Sequence, residues 1–282
     1  MKYTDNIINH HKKGDFEYLT FKALDKYKDK LTHFITLKHG GVSKGVYSSL
    51  NVRSVGKDDI NNVLKNVEII CNNFGIDKDK VYKAKQTHTD KVLILSDENK
   101  EEYNFNNFVD KEYDAYLIKD SDISNLVTTA DCNPIIVYDT KNNIVLNIHA
   151  GWKGVIKQIY LKAIQILLEK YNSSVEDLIV CIGPSIRKCC FSSEDEEFLK
   201  QFIDKFENKH KYVYYEENSK RFHIDLIYII KQDLLKFGIK EENINVADIC
   251  TCCNTQDFYS FRKATQNKDE DYATFSTWVR LN

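Results

Sequence analysis

Between Ile144 and Ile182 the sequence runs from an apolar stretch through a glycine-containing turn into a long amphipathic segment, and then into a second apolar stretch. Ile144 to Ile148, apolar but for Asn147, and Leu178 to Ile182 are short apolar runs with polar flanks, the pattern of buried strands. Between them Val155, Ile156, Ile159, Tyr160, Ala163, Ile164, Leu167 and Leu168 recur at helical spacing, which predicts one helix over Val155 to Leu168 with a single apolar face. Strand, helix, strand is a crossover unit, and it restricts the chain to an α/β or α+β class.

The remaining pattern is consistent with that class. Ile60, Val63, Leu64, Val67, Ile70 and Phe74 predict an amphipathic helix ended by Gly75. Val92 to Leu95, Ala115 to Ile118 and Ile135 to Tyr138 read as further buried strands. Helices are expected within Glu194 to Phe206 and Leu226 to Phe237, and a strand near Phe275 to Leu281. Two prolines, ten glycines, no repeat and no Pro/Gly/Ser-rich linker predict one domain over residues 1–282, α/β, with a mixed sheet core and flanking helices.

A chain of 282 residues that is 42% hydrophobic can bury a large core, which excludes a disordered or fibrous protein. Forty basic residues against 42 acidic ones, with neither sign in a long block, argue against a nucleic-acid partner. Met1 to Lys30 lacks the apolar centre of a signal peptide, and no later stretch is long and apolar enough to span a bilayer, so a cytoplasmic protein without membrane contact is expected. In that setting the eight cysteines are expected to be thiols.

Three polar segments lie at the ends of strands, where α/β proteins assemble their sites. They are Lys85-Gln-Thr-His88-Thr-Asp90, Thr129-Ala-Asp-Cys132-Asn-Pro134 and Ile148-His149-Ala-Gly-Trp-Lys-Gly154. His88, Cys132 and His149 would give Zn²⁺ three ligands and leave the fourth position open, the arrangement of a catalytic zinc. Taken alone, their spacing reads more readily as two surface or hydrogen-bonding histidines and a core cysteine. Gly151 and Gly154, where the helix begins, suit either an anion at its N-terminus or a tight turn. Asp131 reads as a proton carrier beside a ligand or as a turn cap, and Arg262 as a phosphate ligand or half of an ion pair.

Several chemistries lack their motifs. There is no G-x-x-x-x-G-K-[ST], no G-x-G-x-x-G, no H-E-x-x-H and no H-x-E with P-C-x-x-C. Without an H-x-H pair, eight histidines are a poor supply for a multicopper cluster, so copper is the less favoured metal. Cys71 and Cys181 sit in apolar runs and read as core. Cys189-Cys190 and Cys250-Thr-Cys-Cys253 read as packed thiols, since they do not present the two matched pairs of a zinc ribbon.

Six short segments, in order, resemble the YfiH/YlmD-type purine nucleoside phosphorylases, whose members also carry laccase-domain or polyphenol-oxidase labels. They are His39-Gly-Gly-Val-Ser-Lys-Gly-Val-Tyr-Ser-Ser-Leu-Asn51, Lys85-Gln-Thr-His88, Thr129-Ala-Asp-Cys132-Asn-Pro134, His149-Ala-Gly-Trp-Lys-Gly154, Gly183-Pro-Ser-Ile-Arg-Lys-Cys-Cys190, and Asp248-Ile-Cys-Thr251 with Tyr259-Ser-Phe-Arg262. The resemblance implies a YfiH-like α/β fold and zinc on His88, Cys132 and His149. It implies phosphorolysis of adenosine, inosine, guanosine and methylthioadenosine, and deamination of adenosine, with purine nucleosides and phosphate as partners. Ser49 and Asn51 match the segment associated with the nucleoside pocket, and Lys153 stands where the family usually has arginine, keeping the charge without the bidentate fork. After Arg262 the usual glycine-rich turn is replaced by Lys263 to Tyr272. Two other functions fit parts of the pattern: a metal-free hydrolase with Cys132 as nucleophile and His149 as base, and a non-enzymatic regulator of cell-envelope proteins.

Overall fold

The computed structural model describes residues 2–282. The strands of its N-terminal half are β1 (Ile8–Lys13), β2 (Phe16–Phe21), β3 (Leu31–Thr36), β4 (Val81–Tyr82), β5 (Val92–Leu95), β6 (Ala115–Ile118) and β7 (Ser124–Thr129). There follow β8 (Asn133–Asp139), β9 (Ile144–Ala150), β10 (Leu178–Ile182), β11 (Ser192–Ser193), β12 (Val213–Glu216), β13 (Arg221–Ile224), β14 (Ile244–Val246) and β15 (Phe275–Leu281). The helices are α1 (Lys22–Asp25), α2 (Ile60–Phe74), α3 (Trp152–Ile156), α4 (Ile159–Tyr171), α5 (Glu196–Ile203), α6 (Leu226–Phe237) and α7 (Phe261–Asn267).

Two six-stranded sheets form the frame. One has the order β1-β2-β3-β15-β7-β4, the other β14-β10-β8-β9-β6-β5, and a three-stranded sheet, β11-β13-β12, stands beside them. Strand alternation sorts the side chains into layers. Tyr116, Ile118, Ile136, Tyr138 and Val145 of the second sheet pack with Leu19, Phe21, Val127, Phe275 and Val279 of the first. Ala115, Leu117, Ile135, Val137 and Leu146 turn the other way, onto Ile159, Ala163, Ile164 and Leu167 of α4 and Ile229 and Ile230 of α6. On the outer face of the first sheet, Phe34, Leu126 and Trp278 meet Val63, Val67 and Ile70 of α2. The result is helix, sheet, sheet, helix, which is why every residue of β8 and β9 is buried and most are apolar.

The crossover unit is present. β9 and β10 both pair antiparallel with β8, so they run parallel to each other on either side of it. The single helix expected over Val155 to Leu168 is corrected to two, because Gln158 adopts φ 55°, in the left-handed region, and ends the first. Tertiary contacts hold that break: the Gln158 side chain donates to Asp233 of α6 at 2.9 Å, and the Tyr160 hydroxyl donates to the same carboxylate at 2.5 Å. Val155, Ile159, Tyr160, Ala163, Ile164 and Leu167 all stay buried across it, so the apolar face survives the break. The helix Ile60–Phe74 is found at the expected bounds, with Asp59 accepting from the Asn61 amide at its start and Gly75 at φ 61° at its end. Among the described residues no helix is long and apolar enough to cross a membrane.

Asn66, fully buried on α2, accepts from the Val42 amide and donates to Ser43 Oγ and to the carbonyls of Ser49 and Asn51, fixing the loop between β3 and α2. Its replacement by alanine leaves these buried groups unpaired. Chemical denaturation of Asn66→Ala is expected to show a loss of about 2–4 kcal/mol, and a loss below about 0.5 kcal/mol would mean the loop is held some other way.

Candidate metal centre

The register of the second sheet begins the site. His149 lies next to the C-terminal end of β9, and β8 pairs with it so that Pro134 faces His149 and Asn133 faces Ala150. Cys132, one residue before β8, therefore arrives beside Gly151. Residues 130–132 are also the passage by which the chain leaves β7 in one sheet and enters β8 in the other, and Asp131 takes φ 85° to make it. His88 comes from the loop between β4 and β5 and has φ 62°. A non-glycine residue in the left-handed region costs ~1–2 kcal/mol, and here the region is occupied by one of the three converging residues and by the neighbour of another. Gln86 anchors this loop by donating to the Thr128 carbonyl and accepting from the Thr128 amide, both on β7.

The three side chains meet. Cys132 Sγ and His88 Nε2 are 3.6 Å apart, the two imidazole rings lie 4.9 Å apart at 70°, and one donor atom from each residue lies within 4.8 Å of the others. Tetrahedral zinc with its usual bond lengths holds sulfur and nitrogen about 3.6 Å apart. Gly151 keeps the space open: a Cβ there would stand 2.4 Å from His88 Cδ2 and 2.9 Å from Cys132 Sγ. Two imidazoles and a thiol, converging on a space that even a methyl group would fill, fit a divalent ion of zinc's size and softness.

Asp114, which the sequence reading passed over, organises the centre. It is fully buried just before β6. Its carboxylate accepts from His149 Nδ1 at 2.8 Å, from the amides of Thr87, His88 and Thr89, and from the Thr89 hydroxyl at 2.7 Å. It thus turns His149 Nε2 toward Cys132 and ties down the loop bearing His88, the part usually played by the outer partner of a metal-bound histidine. An acidic residue directly ahead of the apolar run Ala115–Ile118 was the available signal. Burial pushes the Asp114 carboxyl up, but the bonds from His149 and Thr89 outweigh it and hold it at about 2. Burial likewise pushes the Cys132 thiol up, while the imidazoles of His149 and His88 bring it down to about 6. His149 moves the other way, to about 9, because Cys132 and Asp114 overcome its desolvation. The pair favours the thiolate, the form that binds metal.

The centre opens on a cavity of about 980 Å³. Lys83, Lys85, Lys153, Arg53, Arg221 and Arg262 line it against two acids, Asp110 and Asp131, and Phe105, Phe108, Phe191, Phe261 and Tyr272 give it aromatic walls. Lys153 is exposed at the start of α3, beneath the Gly151 turn. Arg262 donates to the Cys190 carbonyl at 2.5 Å and lies 5.9 Å from the Phe191 ring. Asp131 accepts from Thr251 Oγ1, Ser260 Oγ and the Arg262 amide, and burial raises its carboxyl pKa against those bonds. Lys83, also missed, is driven down to about 8 by burial.

Ser49 and Asn51 are not brought to this cavity. Ser49 Oγ donates to the Lys38 carbonyl and accepts from the Gly41 amide. Asn51 is fully buried, donating to Asp58 and accepting from the amides of Arg53 and Thr274. Their hydrogen bonds fold the segment that delivers Arg53 to the cavity wall. The altered stretch after Arg262 forms α7 and then returns to the site, where Tyr272 lies 3.9 Å beneath the Arg53 guanidinium and Asp271 pairs with Arg53 at 2.5 Å.

Fold and site together define a two-sheet α/β protein with an open His–Cys–His centre under a basic, aromatic cavity. Residues 32–272 match the family described as multi-copper polyphenol oxidoreductase laccase, and the chain belongs to it. It is 28% identical over 254 residues to a purine nucleoside phosphorylase of Bacteroides thetaiotaomicron, covering 88% of this chain and 92% of that one. It is 30% identical over 235 residues to purine nucleoside phosphorylase YlmD of Bacillus subtilis, with coverage of 81% and 82%. Adenosine deaminase RL5, from an unknown prokaryotic organism, is 27% identical over 234 residues, with coverage of 81% and 87%. The crystal structure of Bacillus licheniformis hypothetical protein YfiH shares the fold, with a TM-score of 0.86 at 22% identity over 97% of this chain and 99% of that one.

Two substitutions test the architecture of the centre. Asp114→Asn keeps an acceptor for His149 but removes the charge, and is expected to weaken zinc binding about 10–100-fold in competition with a chelator. Gly151→Ala is expected to reduce bound metal while leaving the circular dichroism unchanged, and a fully loaded variant would show that the crowding by Cβ is relieved.

Proposed function

We propose that this chain is a zinc-dependent purine nucleoside phosphorylase that also deaminates adenosine, with adenosine, inosine, guanosine and methylthioadenosine as its nucleosides. The observation that carries the reading is the opening of His88, Cys132 and His149 onto a cavity whose walls are basic and aromatic at once. The names of the relatives support purine nucleosides as the substrate class and adenosine as one of them. Bound by the three residues, zinc would supply Lewis acidity at its free position, for water attacking the purine carbon that bears the amine or for holding the nucleoside during phosphorolysis. A single centre with two histidines favours zinc over the copper of the family description.

The chain's own residues supply the rest. Asp114 holds the proton on His149 Nδ1, so Nε2 is the nitrogen that would give up its proton to bind zinc. Lys153, at the start of α3, and Arg262, at the start of α7, are assigned to phosphate by their charge and their place on the cavity wall. The phenylalanines and Tyr272 offer faces on which a purine stacks. Asp131 positions Arg262 and the Thr251 hydroxyl rather than reaching substrate, since its oxygens are already engaged.

The low-lying Cys132 thiol beside a raised His149 is also what a metal-free cysteine hydrolase would use. Cys132→Ala separates the two. Here both phosphorolysis and deamination of adenosine should disappear along with the zinc at this centre, in a protein with unchanged circular dichroism. A folded variant that keeps that zinc yet has no turnover would make Cys132 a nucleophile. Lys153→Ala should raise the KM for phosphate about tenfold, about 1.4 kcal/mol, with deamination, which consumes no phosphate, much less affected. An unchanged phosphate KM would remove Lys153 from that role.

A further inference from the structure

Four cysteines outside the cavity remain without a function. Cys189 and Cys190 lie in the turn after β10, and Cys250 and Cys253 in the turn after β14. β10 and β14 are parallel neighbours, so both turns leave the same end of the sheet, and the ladder continues past β10 as a bridge between Ser185 and Cys250. Cys253 Sγ lies 3.4 Å from Cys190 Sγ and 3.6 Å from Cys189 Sγ, and all four sulfurs fall within 4.8 Å of one another. A disulfide needs about 2.05 Å, whereas four thiolates around zinc stand about 3.8 Å apart. The expectation of merely packed thiols overlooked the C-x-x-C spacing of Cys250 and Cys253, which the fold matches with an adjacent pair instead of a second C-x-x-C.

The surroundings supply positive polarity beside Cys250. The Arg187 amide points at Cys250 Sγ from 3.5 Å. The Arg187 guanidinium is buried and donates to three neutral oxygens, Ser185 Oγ and the carbonyls of Gly183 and Ala247. Its carboxylate neighbour, Asp248, stands in solvent 3.5 Å from Nε, which has no hydrogen-bond partner. A buried cation so poorly compensated is costly, and a four-thiolate zinc site, with a net charge of about −2, supplies the missing charge next to it.

We propose that Cys189, Cys190, Cys250 and Cys253 bind a second, structural zinc ion, distinct from the one assigned to His88, Cys132 and His149. Each thiol gives its proton to solvent as its sulfur bonds zinc, and no electron is transferred. With all four positions filled by sulfur the site offers no place to substrate. Its effect is to clamp the two turns. One carries the Cys190 carbonyl that receives Arg262, and the other the Thr251 hydroxyl that Asp131 accepts, so the clamp underlies one side of the cavity.

The test uses the full chain purified without added metal. Cys132→Ala, emptied at the first centre, is expected to retain about one zinc per chain, with sulfur as the only neighbour in its X-ray absorption fine structure. Adding Cys189→Ser and Cys253→Ser should remove that zinc. Should the combined variant fail to fold, the wild-type protein decides: its four cysteines should resist alkylation until a chelator is added, as located by mass spectrometry. Wild-type protein holding a single, all-sulfur zinc would support this site and refute the first. Free alkylation of all four before chelation, a Cys190–Cys253 or Cys189–Cys253 disulfide after thiol trapping, or a zinc-free Cys132→Ala would each overturn the proposal.

Discussion

The carboxylate of Asp114 is the contact on which the metal centre rests. It lies between a strand and a loop that would otherwise be independent, accepting from the His149 ring on one side and from the amides of Thr87, His88 and Thr89 on the other. A buried anion is tolerated only when its lone pairs are occupied, and here each is used to place part of the site. The backbone repeats the link, since the Asp114 carbonyl accepts from the His149 amide at 2.7 Å. Because the loop has little regular structure of its own, its conformation is largely that imposed by this one side chain and by Gln86.

The cavity shows how a nearly neutral protein provides a strongly basic site. With a formal charge of −2 the chain as a whole has no preference for anions. Six cations nevertheless face one concave space, drawn from segments as distant as Arg53 and Arg262. Concave walls of low dielectric strengthen such a field well beyond what net charge suggests. Lys83, its ammonium pushed down to about 8 by burial, shows that bringing a cation into these walls has an energetic cost.

Much of the second sheet was legible in the sequence because its strands are buried on both faces, and continuous apolar runs such as Ala115–Ile118 announce themselves. The first sheet was largely hidden. Its strands β1, β2 and β3 carry His, Lys, Thr and Glu among their apolar residues, several of them buried, such as His10, Thr20, His33 and Thr36, and short mixed runs of that kind resemble loops. Cys132 and His149 could be named in advance because each sits at the end of a recognisable strand, and His88 because its segment leads into one. Asp114 and Lys83 could not, since their importance lies in contacts between segments far apart in sequence. Gln158 failed as a helix residue for the same reason: Asp233, on another helix, decides its conformation.

The buried amide of Asn147 has a role beyond satisfying its neighbours. From β9 it donates to Asn125 on β7 and to the Thr277 carbonyl on β15, in the layer where the two sheets face each other. Side chains alternate along a strand, so His149, two residues on, emerges on the same face as Asn147. Sliding β9 by one position would drive the amide into the apolar layer under α4 and would also swing His149 away from Cys132. The polar stitch between the sheets therefore acts as an indexing pin: a one-residue slip that loses the metal ligands also buries an unpaired amide, and the misassembled protein is penalised before it can persist.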